Sequence, residues 1–419
     1  MKRLIKLLNW LLMKKWINNI GPGPLIAAAF IGPGTVTLCS IAGLDFGFSL
    51  LWTLVLSIIA TIVLQEMSAR LGIISKKGLS QVIRNEIENP VLKKIVITLI
   101  LLAIVIGNAA YEAGNISGGV LGLEAVFGEK YLHILDVNIN LYSILLGIIA
   151  FVLLFLGNYK ILEKSLIFLV IIMSVSFIIT AIITKPDLSK LMQGLFIPKF
   201  PKGSLLIIIG LIGTTVVPYN LFLHASLVKE KWKNVSDLKL ARNDTVIAIV
   251  LGGIVSMCIV ISSASLNIDS INNAADLARG IEPLYGVNSK YILAVGLFSA
   301  GITSAITAPL AASYVAAGCL GWPLKMKSFK FRAVWMFILL VGVLSSSSGF
   351  KSIEIIKFAQ VANGILLPVI AGFLIWVVNK ESILGKYKNS KIQNSIGGII
   401  LVITIFLGLK SILKVFEIL

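Results

Sequence analysis

The feature of this sequence that most constrains its fold is a series of long apolar runs, each close to the length that crosses a lipid bilayer. A helix needs roughly 20 apolar residues to cross about 30 Å of hydrocarbon. The runs do not alternate polar and apolar residues, as the strands of a membrane β-barrel would. The sequence therefore predicts an all-α integral membrane protein with about eleven transmembrane helices. The predicted spans are residues 24–45, 49–70, 95–126, 141–157, 165–183, 204–228, 243–264, 291–318, 333–348, 354–378 and 396–416.

The composition excludes a soluble protein. Charged residues make up 13% of the chain, whereas about a quarter of an ordinary soluble domain is charged. The cysteines Cys39, Cys258 and Cys319 lie in apolar stretches, which argues against a disulfide framework or a zinc site. The sequence contains no Walker loop, kinase signature or Ser-His-Asp grouping, so it predicts neither an enzyme nor a bound cofactor. We expect residues 1–419 to form a single transmembrane domain.

The basic residues predict how the chain is oriented. The net charge is +18, but lysine and arginine gather in the cytoplasmic loops of membrane proteins, so this excess does not indicate nucleic acid. If the N-terminus is cytoplasmic, 26 of the 37 lysines and arginines fall on the cytoplasmic side. An odd number of spans then places the C-terminus outside. We expect an integral protein of the plasma (inner) membrane whose partners are the lipid bilayer and a small solute.

Two spans are interrupted near their middle. Residues 32–35, Gly-Pro-Gly-Thr, lie in the first span, and residues 216–220, Val-Val-Pro-Tyr-Asn, lie in the sixth. Proline removes a backbone donor and clashes with the preceding turn, and broken backbone at mid-membrane survives only against protein or a water-filled cavity. A simple proline kink would explain one such break. Two breaks five spans apart predict a transporter built from inverted repeats, with its substrate site at the midplane.

The predicted repeats each contain five helices. The first covers about residues 20–183 and the second about 204–378, and an extra helix covers about 396–416. The first half of the first span would end near Phe30, and the first half of the sixth would end between Thr214 and Val216. Because the carboxyl end of a half-helix presents unpaired carbonyls with partial negative charge, such a site suits a cation.

Motifs distributed over about residues 20–380 carry a family resemblance. They are residues 21–23 (Gly-Pro-Gly), 27–31 (Ala-Ala-Ala-Phe-Ile), 49–52 (Ser-Leu-Leu-Trp), 68–73 (Ser-Ala-Arg-Leu-Gly-Ile), 162–164 (Leu-Glu-Lys), 213–224 (Gly-Thr-Thr-Val-Val-Pro-Tyr-Asn-Leu-Phe-Leu-His), 360–361 (Gln-Val) and 367–368 (Leu-Pro). In these motifs the chain resembles the NRAMP (natural resistance-associated macrophage protein) family of divalent metal transporters. The resemblance implies a LeuT-like fold with broken helices 1 and 6.

The sequence departs from that family at the residues that would hold the metal. The family has Asp-Pro-Gly-Asn in its first span, and this chain has Gly32 and Thr35 in place of the two ligands. The family has Met-Pro-His-Asn in its sixth span, where this chain has Val217 and Tyr219 in place of the sulfur and imidazole ligands. The resemblance therefore implies a metal site whose usual ligands are replaced at Gly32, Thr35 and Val217. A carbonyl ligand would come from Thr214.

These departures favour a hard cation over a soft one, because sulfur and imidazole select softer transition metals while oxygen ligands suit magnesium or calcium. Magnesium usually keeps several of its waters, so a neutral, oxygen-rich site could hold it partly hydrated. The alternative is a small polar or cationic organic solute, bound by the same hydroxyl and amide groups without any metal. The candidate substrate-binding residues are Gly32, Thr35, Thr214, Val217, Tyr219, Asn220 and Gln360.

Three further polar residues are candidates for a proton or ion path: Glu112, His224 and Asn108. An acid inside a span is costly and is a functional hypothesis by default, although a hydrogen-bonded carboxyl that supports helix packing is the alternative. A lone histidine can relay protons or serve as a structural hydrogen-bonding group. The family's Asp-x-x-Glu pair is matched here by Ala109 and Glu112, so half of it is missing. We therefore expect weak or no proton coupling.

Overall fold

The computed structural model describes residues 31–134, 137–157 and 160–415. The predicted end of the first half-helix near Phe30 and the motifs at residues 21–23 and 27–30 lie outside the described residues. The side chains of Leu162 and Glu163, which belong to a third motif, also lie outside them.

The described chain is helical almost throughout, and the membrane helices are numbered here by the span that they form. They are α1 (Pro33–Phe46), α2 (Leu51–Ser75), α3 (Pro90–Phe127), α4 (Leu141–Leu156), α5 (Lys160–Ile183), α6a (Leu205–Thr215), α6b (Pro218–Lys231), α7 (Leu238–Ser263), α8 (Ser289–Leu320), α9 (Phe329–Ser346), α10 (Ser352–Val378) and α11 (Lys391–Val415).

Short elements connect the membrane helices. Short helices cover Leu79–Glu86, Leu188–Phe196, Ala274–Ala278, Glu282–Tyr285 and Glu381–Leu384, and single 3₁₀ turns cover Val235–Asp237, Arg279–Ile281, Gly286–Asn288 and Gly385–Tyr387. The strands β1 (Tyr131–Ile134) and β2 (Val137–Asn140) form an antiparallel hairpin between α3 and α4.

Each predicted span has a helical counterpart among the described residues. Nine helical segments of the described chain are long and apolar enough to cross a membrane. The fourth span is a shorter apolar helix of 16 residues, and α1 holds the second half of the first span. The division into two repeats at the stated boundaries stays a prediction.

The hairpin is a short exception within the all-α fold that the sequence predicts. Strands of four residues are far shorter than the apolar runs of about twenty residues that indicate membrane helices, so the hydrophobic pattern does not reveal them. Tyr131 pairs with Asn140 in the register of the hairpin. The Asn140 side chain then accepts a hydrogen bond of 3.0 Å from the Tyr142 amide and so caps α4.

Helix α3 makes extensive contacts with α8, α9 and α10. Small residues let these helices approach closely, as is typical of helix packing in membranes. A Cβ added to Gly301 of α8 would lie 2.7 Å from the Cα of Gly119 of α3, which is closer than real Cβ atoms come. One turn further along, a Cβ on Gly122 would lie 2.5 Å from the Ala294 carbonyl oxygen. The crossing of α3 and α8 is therefore fixed by backbone contact.

Candidate substrate site between two helix breaks

The sixth span is broken as the sequence predicts. Helix α6a ends at Thr215 and α6b begins at Pro218, with Val217 in an extended conformation (φ −74°, ψ 119°) between them. Pro218 has no N–H, so it cannot donate to the carbonyl of Thr214 four residues earlier. The next carbonyl, that of Thr215, accepts a hydrogen bond of 3.5 Å from the Thr61 hydroxyl. The break therefore leaves the Thr214 carbonyl without its helical donor.

The start of α1 meets the break in the sixth span. Gly32 precedes α1 in an extended conformation (φ −106°, ψ −175°), and Pro33 is the first residue of the helix. The hydroxyl oxygens of Thr35 and Thr214 are 2.8 Å apart, and both side chains are fully buried. This hydrogen bond joins residues that are 179 positions apart in the chain.

Gln360 of α10 lies between these two helices. A Cβ on Gly34 would collide with the end of the Gln360 side chain, and a Cβ on Gly213 of α6a would collide with the Gln360 backbone carbonyl. The absence of a side chain at both glycines is therefore what allows α10 to approach. The Gln360 Oε1 atom is buried and has no hydrogen-bond partner among the described residues.

Other buried polar atoms near the breaks also lack partners among the described residues: Asn220 Oδ1, Ser304 Oγ and Asn363 Nδ2. Buried polar atoms normally have a protein or water partner, so these atoms are candidate contacts for water or a ligand. The Tyr219 ring is completely buried and contacts the ring of Tyr111 edge-on, with the centroids 5.5 Å apart.

Sequence reasoning missed Ser304. Its hydroxyl oxygen would lie 3.3 Å from a Cβ added to Gly32, so it lies beside the position where the family carries aspartate. A weak signal was available, because Ser304 belongs to a run of α8 that also contains Thr303 and Thr307. Small hydroxyl residues are common in membrane helices, so this run does not identify a site.

The lining is uncharged. Gly32 and Val217 bring no polar side-chain atom to the breaks, and both are buried. The described residues include no group of three or more histidine, cysteine or acidic side chains that could hold a metal. A cation here would meet neutral oxygens, including the carbonyl dipole at the end of α6a.

The three residues predicted for a proton or ion path lie in different surroundings. Glu112 faces α9, where its Cβ would lie 2.9 Å from a Cβ added to Gly342, and its Oε2 accepts a hydrogen bond of 3.3 Å from the Asn115 amide. The Asn108 amide donates to the Ala308 carbonyl at 2.8 Å.

His224 is fully buried on α6b. Its Nδ1 lies 2.8 Å from the Gln65 Oε1. Because an amide oxygen only accepts, Nδ1 carries the proton in this pair. The structure therefore does not bring Glu112, Asn108 and His224 into one connected chain of hydrogen bonds within the described residues.

Comparison with models of protein families shows which family the chain belongs to. The model of the family described as natural resistance-associated macrophage protein-like (Nramp) matches residues 23–414. The chain belongs to the Nramp family. The resemblance read from the motifs is thus confirmed.

Individual relatives agree with this family. The divalent metal cation transporter MntH of Yersinia pestis is 26% identical over 415 residues, which cover 96% of each chain. The MntH of Staphylococcus haemolyticus is 28% identical over 431 residues, covering 96% of this chain and 93% of the relative. These relatives are named as transporters, which agrees with the prediction that this Nramp protein is not an enzyme.

The solved structures confirm the fold. The Eremococcus coleocola manganese transporter aligns with a TM-score of 0.76 at 20% identity, over 96% of this chain and 87% of that one. The nucleobase-cation-symport transporter MHP1 aligns with a TM-score of 0.55 at 15% identity, over 94% and 93%. This Nramp protein is an integral membrane transporter with the LeuT-like fold.

The two glycines against Gln360 predict a contrast between matched substitutions. Gly213→Ala would force a methyl group against backbone, which cannot move without shifting α10, so we expect a loss of about 1–3 kcal/mol of stability. Gly34→Ala meets only the end of a flexible side chain and should cost less. Melting temperatures of the purified variants in detergent measure this. Equal melting temperatures for the two variants would contradict the close approach of α10 to α6a.

Proposed function

We propose that this Nramp-family transporter carries a hard, partly hydrated divalent cation such as magnesium by alternating access. The observation that supports this is the set of buried, uncharged oxygens at the two helix breaks. The proposed substrate-binding residues are Gly32, Thr35, Thr214, Val217, Tyr219, Asn220 and Gln360.

Neutral oxygens suit a cation that keeps much of its water. The Asn220 Oδ1 and the Gln360 Oε1 are acceptors without a hydrogen-bond partner among the described residues, and the Thr214 carbonyl lacks the donor that a continuous helix would supply. Each can accept a hydrogen bond from a metal-bound water or replace one water directly. Magnesium dehydrates reluctantly and usually retains several waters. A site that leaves those waters in place therefore avoids most of the free-energy cost of dehydrating the ion. The relatives from Yersinia and Staphylococcus are named divalent metal cation transporters, which supports a divalent cation as the substrate class.

The replaced ligands argue against soft metals as the preferred substrate. Val217 supplies no sulfur and Gly32 supplies no carboxylate, and both positions face the breaks. Thioether and imidazole ligands are what favour softer transition metals over magnesium and calcium. Without them, selectivity against magnesium has no chemical basis in this lining.

Weak or absent proton coupling is part of the proposal. Ala109 stands where the family has an acid, and the Glu112 side chain packs against α9 with Asn115 as its partner. Coupling needs a titrating group whose charge the substrate alters, and the lining of the breaks contains no carboxylate among the described residues.

A small polar or cationic organic solute is the second candidate. The observation that favours it is the same uncharged lining, since hydroxyl and amide groups orient organic solutes well. The two candidates differ in whether a divalent cation crosses the membrane.

We expect saturable magnesium uptake by liposomes that contain the purified protein, followed with a magnesium-sensitive dye. The rate should not change when a pH gradient is imposed. Gln360→Ala should weaken the apparent affinity about tenfold, because it removes one acceptor from the site, a loss of roughly 1.4 kcal/mol. Gln193→Ala, which changes an exposed glutamine on a connecting helix, is the matched control and should leave uptake unchanged.

The contradicting results are distinct. Absence of magnesium uptake at millimolar concentration, together with thermal stabilisation by an amino acid, amine or nucleobase, would replace the first candidate with the second. Uptake that accelerates with an inward proton gradient would overturn the proposal of weak coupling.

The replaced ligands can be restored. Gly32→Asp, Thr35→Asn and Val217→Met together should introduce manganese binding measurable by calorimetry. The backbone of Gly32 lies in a region open to any residue, and aspartate is favoured at a position that precedes a helix. The Ser304 hydroxyl needs to move only a few tenths of an ångström.

The matched control places alanine at the same three positions. It changes the same three positions without supplying a ligand, so it should bind no manganese. Equal heats for the two triple variants would show that the site differs from the family's by more than its ligands.

We also propose that the N-terminus is cytoplasmic and the C-terminus is outside. Three segments that this orientation places in the cytoplasm meet in the structure. Arg70 donates to the Asn389 side chain at 2.6 Å, and Arg242 forms an ion pair of 2.7 Å with Glu66. These contacts support a common membrane face for the ends of α2, α7 and α11.

Thiol labelling of whole cells tests the orientation. A membrane-impermeant maleimide should label Lys202→Cys, which lies in an exposed loop before α6a. It should label Lys233→Cys, which is exposed after α6b, only once the membrane is permeabilised. The reverse pattern would invert the topology.

A further inference from the structure

A polar cavity lies between the α2–α3 connection and the end of α8. Its volume is about 210 Å³. The lining residues are Lys77, Gln81, Arg84, Asn85, Gly318, Gly321 and Trp322. The proposed orientation places this cavity at the cytoplasmic face of the membrane.

The cavity is shaped by close packing of the short helix Leu79–Glu86 on the end of α8. A Cβ on Gly318 would collide with the Ser80 hydroxyl, so the helix rests on the α8 backbone. Gly321 ends α8 in the left-handed region (φ 71°), and the Arg84 guanidinium occupies the space where its side chain would be. These two contacts hold the short helix against the end of α8 beside the cavity.

Arg84 is half-buried and forms no hydrogen bond or ion pair with another described residue in the structure. A guanidinium has five N–H donors. The carboxyl end of a helix carries partial negative charge, so the helix dipole alone stabilises an arginine beside it. That dipole explains the position of Arg84 and leaves its remaining donors for a ligand. Buried arginines elsewhere in the chain are used differently: Arg70 is held by Glu66 and Asn389.

The other lining groups add donors and no negative charge. Lys77 is exposed and has no acidic partner among the described residues, and no aspartate or glutamate lines the cavity. The Gln81 Oε1 accepts a hydrogen bond of 3.1 Å from the Gly78 amide, so its NH₂ group is the end left to donate. Asn85 is exposed at the rim. The site therefore offers two positive charges and amide donors to an anion.

This chemistry is that of a phosphate group. Arginine matches phosphate oxygens with two parallel hydrogen bonds, and lysine adds a point charge. The volume is below the 300–1,000 Å³ or so of sites for drug-sized ligands and suits a headgroup-sized molecule. Basic pockets between membrane helices on the cytoplasmic side commonly hold anionic lipid headgroups. Trp322 on the wall is suited to the boundary between headgroups and acyl chains.

We propose that the cavity between Lys77, Arg84 and Trp322 binds a phosphate-bearing group, with the headgroup of an anionic phospholipid and a soluble phosphate ester as its two possible sources. This site is separate from the substrate site and does not depend on which cation is transported.

The test uses the full chain in detergent and measures binding by native mass spectrometry and by thermal shift. The probes are short-chain phosphatidylglycerol, short-chain phosphatidylcholine, glycerol phosphate and inorganic phosphate. Phosphatidylglycerol should bind and raise the melting temperature, whereas phosphatidylcholine should bind at least about tenfold more weakly. Stabilisation by glycerol phosphate or inorganic phosphate at similar concentration would assign the site to a soluble ester instead.

Arg84→Gln should weaken the binding of the effective probe about tenfold or more, because it removes the charged donors. Arg279→Gln is the matched control, since Arg279 is exposed on the α7–α8 connection and lies far from the cavity lining. Lys77→Gln provides a second variant if Arg84→Gln lowers the melting temperature without ligand. Equal binding of the effective probe by the wild-type chain, Arg84→Gln and Lys77→Gln would overturn the proposal. Equal binding of phosphatidylcholine and phosphatidylglycerol would also overturn it if neither glycerol phosphate nor inorganic phosphate stabilises the protein.

Discussion

The break at Pro218 is the constraint on which the substrate site depends. Proline withholds the donor that the Thr214 carbonyl would use in a continuous helix, and beside the break the Thr214 hydroxyl forms a hydrogen bond with Thr35 of α1. In hydrocarbon a freed carbonyl is costly unless protein, water or substrate satisfies it. Helix α10 covers the interruption and helps to stabilise it. Because Gly34 and Gly213 have no side chains, Gln360 lies close to both α1 and α6a.

The site combines the helix arrangement of the Nramp family with different lining residues. The family match over residues 23–414 and the aligned folds show that the helices are arranged as in other Nramp proteins. Within that frame, Gly32 and Val217 supply no ligand, and Ser304 lies beside Gly32. A lining of neutral oxygens offsets the loss of a divalent cation's hydration shell less than a carboxylate would, which is why we propose a substrate that keeps much of its water. The proposed transport of a hydrated divalent cation follows from this reasoning.

Much of the fold could be predicted from the sequence, because its causes are local. The length of each apolar run predicts a membrane helix, and Pro218 marks where the sixth span is interrupted, although Pro309 and Pro368 lie inside continuous helices. The predicted end of the first half of the sixth span, between Thr214 and Val216, agrees with the observed end at Thr215. The hairpin Tyr131–Asn140 was missed because four-residue strands carry too little hydrophobic signal. The candidate site was predicted as a set of residues on spans 1, 6 and 10, partly through the family resemblance.

The sequence alone determined that the chain is a membrane protein and that the proposed lining residues are uncharged, since these are properties of residue type, and it predicted the interruption at Pro218. Only the tertiary structure decided that Gln360 lies against Gly34, that Ser304 borders Gly32, that Glu112 faces Gly342 and that Arg84 covers Gly321. Each of these contacts joins residues far apart in the chain. Their pairing depends on the angle and register at which helices cross, and no local pattern specifies those quantities.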